Sequence, residues 1–212
     1  MFPWPALAGI VAALSVGVVS PGPSFVVVAR TAMVASRSDG LGVALGMGVG
    51  GLLFAVAALL GLRTLLLALP TVYLALKLAG GVYLAWLGWR IWTSAKQTLV
   101  IPAGMFQVTS RAAWRKSFML GLGTHLGNPK TAVVYASVFA AFLPATQTAA
   151  FDIALVACVV AIECGWYAAV ALLLAAERPR RAYLRYKRHL DRVAGGVMMA
   201  LGLRLAWSAF RS

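Results

Sequence analysis

Six long apolar segments dominate this sequence, separated by short polar or basic stretches. The segments cover residues 6–33, 41–62, 70–92, 117–143, 151–176 and 193–210. A helix of about 20 apolar residues is long enough to cross the hydrocarbon core of a bilayer. Only 11% of the residues are charged, whereas soluble domains are about 25% charged. The sequence therefore predicts an all-α polytopic membrane protein of about six transmembrane helices, with residues 1–212 in a single membrane domain.

The basic residues predict the orientation of these helices. They concentrate in the connections after the first, third and fifth segments, whereas the second connection has only Arg63 and the fourth has none. The positive-inside rule places the basic connections in the cytoplasm and both termini outside. The chain has a net charge of +14. Basic residues beside the membrane are attracted to anionic lipid headgroups, which explains this positive charge, so no nucleic-acid partner is expected. Because no basic residue precedes Arg30, we expect the first segment to be retained rather than cleaved as a signal peptide.

Two of the segments carry nearly the same motif. Residues 79–90 read AGGVYLAWLGWR and residues 194–204 read AGGVMMALGLR, with Lys77 and Arg192 at matching places before them. This predicts two three-helix repeats, about 1–95 and about 112–212, joined by a cytoplasmic loop at about 94–116. Three helices are an odd number, so the second repeat must be inverted in the membrane. Inverted repeats are typical of alternating-access transporters, although Gly-rich helix faces can also converge by chance.

Proline motifs interrupt the first and fourth segments near their middles. They read Ser20-Pro21-Gly22-Pro23-Ser24 and Gly127-Asn128-Pro129-Lys130. Proline ends a helix, whereas a Ser or Asn cap followed by proline starts a new one. The two new helices would point their positive N-termini toward the midplane from opposite sides, with Lys130 in one first turn. This predicts a carboxylate site; the alternative is a pair of kinks stabilised by packing.

Few charged residues lie deep within the segments. Glu163 is central in the fifth, where a charge costs about 2.5–3.5 kcal/mol, so we expect it to bind a substrate ammonium or a proton, or to pair with Lys77 or Lys130. Lys77 itself either contacts substrate or snorkels outward. His125 is either a packing residue or a proton relay. Trp166 is expected to share the face of Glu163 and to wall its cavity.

Two further patterns have structural interpretations. Gly42, Gly46 and Gly50 have the small-xxx-small spacing that lets a helix pack closely on a neighbour. Asp39 lies just before the second segment and Asp152 at the start of the fifth, and both are expected to be helix N-caps. Nothing in the sequence decides whether the chain pairs as a homodimer through its glycine faces.

These motifs together resemble the lysine-exporter (LysE/RhtB) family of bacterial amino-acid efflux proteins over nearly the whole chain. The similar motifs are Ser20-Pro21-Gly22-Pro23, Gly40 with Gly46 and Gly50, residues 76–84, Asn128-Pro129-Lys130 and Trp166-Tyr167. The resemblance implies proton-driven export of an amino acid or a derivative across the bacterial inner membrane. The chain departs from the family at Gly51, where members often carry an acid, in a place that roughly mirrors Glu163 in the other repeat.

Secondary export requires no cofactor or resident metal, and three other functions are alternatives to it. A divalent metal-ion exporter would need clusters of His, Asp, Glu or Cys within the spans, and only His125 and Glu163 qualify. An intramembrane serine protease would use Ser20 or Ser24 with His125. A thiol-redox carrier needs cysteines on two facing helices, whereas Cys158 and Cys164 fall on one helix and cannot form a disulfide there.

Overall fold

The computed structural model describes residues 2–20, 22–68, 70–96, 113–144 and 148–209. Over these ranges the fold is all-helical, as predicted, with eight α-helices and no strand. The helices are α1 (Trp4–Val19), α2 (Pro23–Val34), α3 (Arg37–Ala68), α4 (Pro70–Ser94), α5 (Ala113–Leu126), α6 (Pro129–Phe142), α7 (Ala149–Leu174) and α8 (Glu177–Ala209). The proline motifs separate α1 from α2 and α5 from α6, so both predicted breaks are confirmed.

Several helices are suited to a bilayer. Within the described ranges, Arg37–Gly61 of α3 and the whole of α7, Ala149–Leu174, are long and apolar enough to cross a membrane alone. Helices α1 and α2 meet the same test together as a span bent by 56° at its break. The molecule is therefore a helical membrane protein, while the six-span count, the inverted arrangement and the outer termini stay predictions.

The last helix is longer than its apolar segment. The basic stretch 178–192 was expected to be a connection, but it forms the N-terminal part of α8, which begins at Glu177. Arg, Lys, Leu and Ala are among the best helix formers, so a charged sequence of this composition continues an apolar helix without a break. The fifth predicted connection is thus mostly helical.

The predicted N-caps at Asp39 and Asp152 were wrong by one helical turn. The Ser36 hydroxyl accepts from the backbone N–H of Asp39 at 3.0 Å and donates to the Asp39 carboxylate at 2.6 Å, so Ser36 caps the start of α3. Thr148 caps α7 by accepting from the Phe151 N–H at 3.3 Å. Both aspartates lie in the first helical turn, where their charge still opposes the helix dipole.

Glycines bring the helices together at two interfaces. Gly42, Gly46 and Gly50 turn one face of α3 against α5, where a Cβ on Gly46 would collide with the Phe118 carbonyl, and the predicted close packing is confirmed. Helices α4 and α8 pack antiparallel through their glycines, with Gly81 against Gly202 and Gly88 against Gly195. The two copies of the repeated motif therefore lie against each other.

The core consists of two apolar clusters, with a layer that contains buried polar residues between them. On α7 the first cluster includes Leu155 and Val159, and the second includes Tyr167 and Val170. Glu163 falls between the clusters in the same buried stripe, four residues from each neighbour at the spacing of one helical turn. On α3 the clusters likewise leave a gap at Gly51, between Met47 and Ala55.

Candidate functional site

The two proline breaks begin helices α2 and α6 in different ways. Asn128 caps α6 as predicted, because its side-chain oxygen accepts from the Lys130 backbone N–H at 3.0 Å. The N-cap of α2 is Gly22, with extended backbone and Pro23 as the next residue. Ser20 instead ends α1, so its predicted role as an N-cap of α2 was wrong. Pro21 lies outside the described residues.

Side chains from α6 join the two breaks. The Lys130 Nζ donates to the backbone oxygen of Ser20 at 2.8 Å, and the Asn128 Nδ2 donates to the hydroxyl of Ser24 at 3.1 Å. A Cβ on Gly22 would lie 3.4 Å from the Lys130 Nζ, so the ammonium lies directly beside Gly22, the N-cap of α2. Lys130 thereby neutralises the negative C-terminal end of α1 beside the positive N-termini of α2 and α6.

Glu163 is fully buried, with 1% of its surface exposed. Its Oε1 accepts a hydrogen bond of 2.8 Å from the Tyr135 hydroxyl. The His125 Nε2 lies 3.6 Å from the same oxygen. Among the described residues, Glu163 Oε2 and both ring nitrogens of His125 have no hydrogen-bond partner.

This arrangement bears on the predicted pairing of Glu163 with a lysine. The Lys130 ammonium is bonded to Ser20, and the hydrogen bond to Glu163 comes from a tyrosine. Lys77 belongs to α4, and its side chain lies outside what the structure describes. Glu163 and Lys130 are thus hydrogen-bonded to different residues, Tyr135 and Ser20, and not to each other.

Lys130 and Glu163 nevertheless line the same cavity. It has a volume of about 20 Å³, which is room for about one water molecule. Leu14, Val18 and Val134 contribute an apolar wall. The polar lining consists of His125, Lys130, Thr131, Tyr135, Glu163 and Tyr167. One acid, one cation and several hydroxyls therefore surround a small space between four helices.

Three residues of this site were not among the predicted binding residues. Tyr135 donates a hydrogen bond to Glu163. Tyr167 lines the cavity, where Trp166 was expected. Ser24 is hydrogen-bonded to both Asn128 and the Tyr167 hydroxyl. Spacing could have indicated two of them. Tyr167 is one full turn from Glu163, and Tyr135 is one turn from Thr131, so each shares a helix face with a cavity residue. The expectation for Trp166 was wrong because four residues align better along this stripe than three.

The geometry weighs against the alternative functions. His125 accepts or donates no hydrogen bond to a serine among the described residues, so no Ser–His pair suited to a protease is present there. His125 and Glu163 do meet, but the described part of the chain has no group of three His, Cys, Asp or Glu side chains that could hold a metal ion. Both cysteines are free on α7.

Comparison with known proteins identifies the family. The model of the LysE type translocator family matches residues 15–209. The chain belongs to this family. The threonine efflux protein of Escherichia coli (strain K12) is 31% identical over 190 residues, which cover 90% of this chain and 92% of the relative. The threonine efflux protein of Salmonella typhi has the same identity and coverage.

A further relative is named only as a membrane protein. This protein of Haemophilus influenzae is 29% identical over 194 residues, which cover 91% of each chain. No solved structure gives a significant match. The predicted family is confirmed, and the protein is a membrane transporter for small molecules such as amino acids rather than an enzyme.

Proposed function

We propose that this LysE-type translocator exports a neutral amino acid, or a close derivative, across the bacterial inner membrane in exchange for protons. The observation that carries the proposal is the presence of Lys130 and Glu163 on one cavity. An amino-acid zwitterion carries one negative and one positive group, so it complements a site with one cation and one acid. The named activity of the threonine efflux relatives is consistent with such a substrate.

The substrate carboxylate binds at the helix breaks. The Lys130 ammonium leaves the Ser20 carbonyl and donates to the carboxylate, which also faces the N-termini of α2 and α6. Backbone N–H groups and the dipole of a helix N-terminus favour an anion. The binding residues in this proposal are Ser20, Pro21, Gly22 and Pro23 of the first break and Asn128, Pro129 and Lys130 of the second, with Lys77 as a further contact from α4.

The substrate ammonium binds Glu163. Its Oε2 has no hydrogen-bond partner among the described residues, so it is available to accept from an N–H. The same carboxylate can bind a proton instead. Once protonated it is neutral and no longer attracts the substrate ammonium, so it binds either the proton or the substrate. Competition for one buried carboxylate makes the exchange of substrate for proton obligatory in this proposal and supports H⁺ as the coupling ion.

Transport proceeds by alternating access between two inverted repeats, 1–95 and 112–212, in a six-span, multi-pass fold with both termini outside. The antiparallel contact of the repeated motifs on α4 and α8 supports this arrangement. So does the meeting of the two helix breaks, one from each repeat. A cavity of about 20 Å³ is too small for an amino acid, which fits a closed state that must open to load.

Export from vesicles tests the proposal. The purified protein is reconstituted with a labelled amino acid inside, and release is followed after a pH gradient is imposed. We expect release of threonine or a similar neutral amino acid, and less release of lysine, whose second ammonium has no acid to pair with in the cavity lining. Release of a divalent metal ion without release of any amino acid would favour the alternative metal exporter of related topology.

A further inference from the structure

Glu163 has two immediate neighbours that can move or hold a proton. The Tyr135 hydroxyl lies 2.8 Å from its Oε1, and the His125 Nε2 lies 3.6 Å from the same atom. We propose that His125, Tyr135 and Glu163 form a proton-transfer triad, in which His125 delivers the coupling proton to Glu163 and Tyr135 positions the receiving oxygen. This inference rests on the proposed exchange of substrate for protons.

His125 is suited to deliver a proton because neither of its ring nitrogens is occupied. The ring is 1% exposed, and both nitrogens lack a hydrogen-bond partner among the described residues. A buried polar group without a partner costs about 1–3 kcal/mol, so an arrangement with two such atoms calls for a functional reason. Phe54 and Tyr167 hold the ring by edge contacts at 5.9 and 6.2 Å between ring centres. The Nε2 is therefore held near Glu163 without a hydrogen bond to any described residue.

The transfer itself balances without any other reactant. The N–H bond at His125 Nε2 breaks and an O–H bond forms at Glu163 Oε1, so imidazolium and carboxylate become neutral imidazole and carboxylic acid. A shift of a few tenths of an ångström turns the separation of 3.6 Å into a hydrogen bond. Tyr135 keeps its own proton, because its hydroxyl can turn from donor to acceptor once Glu163 is protonated.

Gly51 is the second positioning residue. A Cβ at this position would lie 2.8 Å from the Glu163 Cγ and 3.0 Å from the Tyr135 hydroxyl oxygen. Real Cβ atoms do not approach other atoms so closely, so any larger residue displaces the Glu163 side chain from Tyr135. The absence of a side chain at Gly51 thus fixes the carboxyl group against its hydrogen-bond donor.

The other titratable groups around Glu163 do not compete for this role. On α6, Lys130 is bonded to the Ser20 carbonyl. On α7, the Tyr167 hydroxyl is bonded to Ser24, and the half-buried Cys164 turns its sulfur toward Gly48 of α3. His125 and Tyr135 are the two that lie against the carboxyl oxygen.

The test compares two reactions of the same vesicles. Exchange of labelled for unlabelled substrate needs no net proton movement, whereas uphill flux driven by a pH gradient does. We expect His125→Gln and Tyr135→Phe to lower the ratio of gradient-driven flux to exchange, by about 10²-fold for His125→Gln, as is usual for loss of a proton-transfer group. Substrate-induced proton movement, followed with a dye inside the vesicles, should fall in parallel.

Matched variants serve as controls. His189→Gln changes the other histidine, which is exposed on α8, and Tyr83→Phe removes a hydroxyl of a residue that does not line the cavity; both should keep the wild-type ratio. Gly51→Ala should lower it, whereas Gly61→Ala, which meets no atom within 4 Å on the same helix, should not. A wild-type ratio in His125→Gln and Tyr135→Phe would overturn the triad. Absence of exchange in the wild-type protein would instead refute the proposed function.

Discussion

The ammonium of Lys130 on α6 lies 2.8 Å from the backbone oxygen of Ser20 at the end of α1. This contact places a cation from the second half of the chain on the helix break of the first half. It satisfies a carbonyl that the break leaves without a helical partner. It also keeps the ammonium beside the cavity, where a carboxylate can displace the carbonyl.

Replacement of Lys130 by methionine should weaken substrate binding. The variant keeps the length of the side chain but loses a charged hydrogen bond worth about 1.5–3 kcal/mol, so the apparent affinity should fall about 10- to 100-fold. The concentration dependence of exchange in vesicles measures this. Lys116→Met is the matched control, because Lys116 is exposed on α5. An unchanged affinity in Lys130→Met would show that the ammonium is not the carboxylate ligand.

Two substitutions of Asn128 should separate its structural role from its role at the site. Asn128→Ala removes the cap of α6 and should lower stability by about 1 kcal/mol. Asn128→Asp keeps a good cap but places a negative charge beside the substrate carboxylate, so it should fold normally and transport poorly. Thermal unfolding and exchange measured on both variants check this. Equal transport by Asn128→Asp and the wild type would contradict the location of the carboxylate.

Gly46→Ala should destabilise the fold without touching the cavity. The added methyl would meet the Phe118 carbonyl and the Leu122 N–H, which are backbone atoms of α5. Overpacking of this kind costs about 1–3 kcal/mol, so the thermal midpoint in detergent should fall. Gly165→Ala adds the same methyl on α7 with no atom within 4 Å and should keep the wild-type midpoint.

A blocked amine should abolish recognition by Glu163. In N-acetylthreonine the ammonium is replaced by a neutral amide, while the carboxylate is kept. We expect this compound not to compete with labelled threonine, whereas the free amino acid does. Competition of similar strength by both compounds would show that Glu163 does not bind the ammonium.

Much of the fold was accessible from the sequence because local signals were strong. Long apolar segments indicated the helices, and proline with a capping residue indicated both breaks. The basic stretch 178–192 was misread because charge suggested a loop, although the same residues are good helix formers. The caps at Ser36 and Thr148 were missed because an aspartate nearby offered an equally good local pattern.

Only some of the site residues could be predicted from the sequence. Lys130 and Glu163 stand out as charges within apolar segments, so both could be singled out. Their hydrogen-bond partners could not be predicted, because Ser20 and Tyr135 reach them from other helices, and long-range pairing leaves no local pattern. Gly51 was noticed as a departure from a family resemblance, but only its contact with Glu163 explains why a glycine fits there.

The central claim is that Lys130 and Glu163 together bind a zwitterionic amino acid. Exchange of labelled threonine in vesicles containing the wild type, Lys130→Met or Glu163→Gln tests it most directly. We predict rapid exchange by the wild type and loss of exchange in Glu163→Gln, with Lys130→Met active only at much higher threonine concentration. Exchange at the wild-type rate and affinity in both variants would contradict the claim.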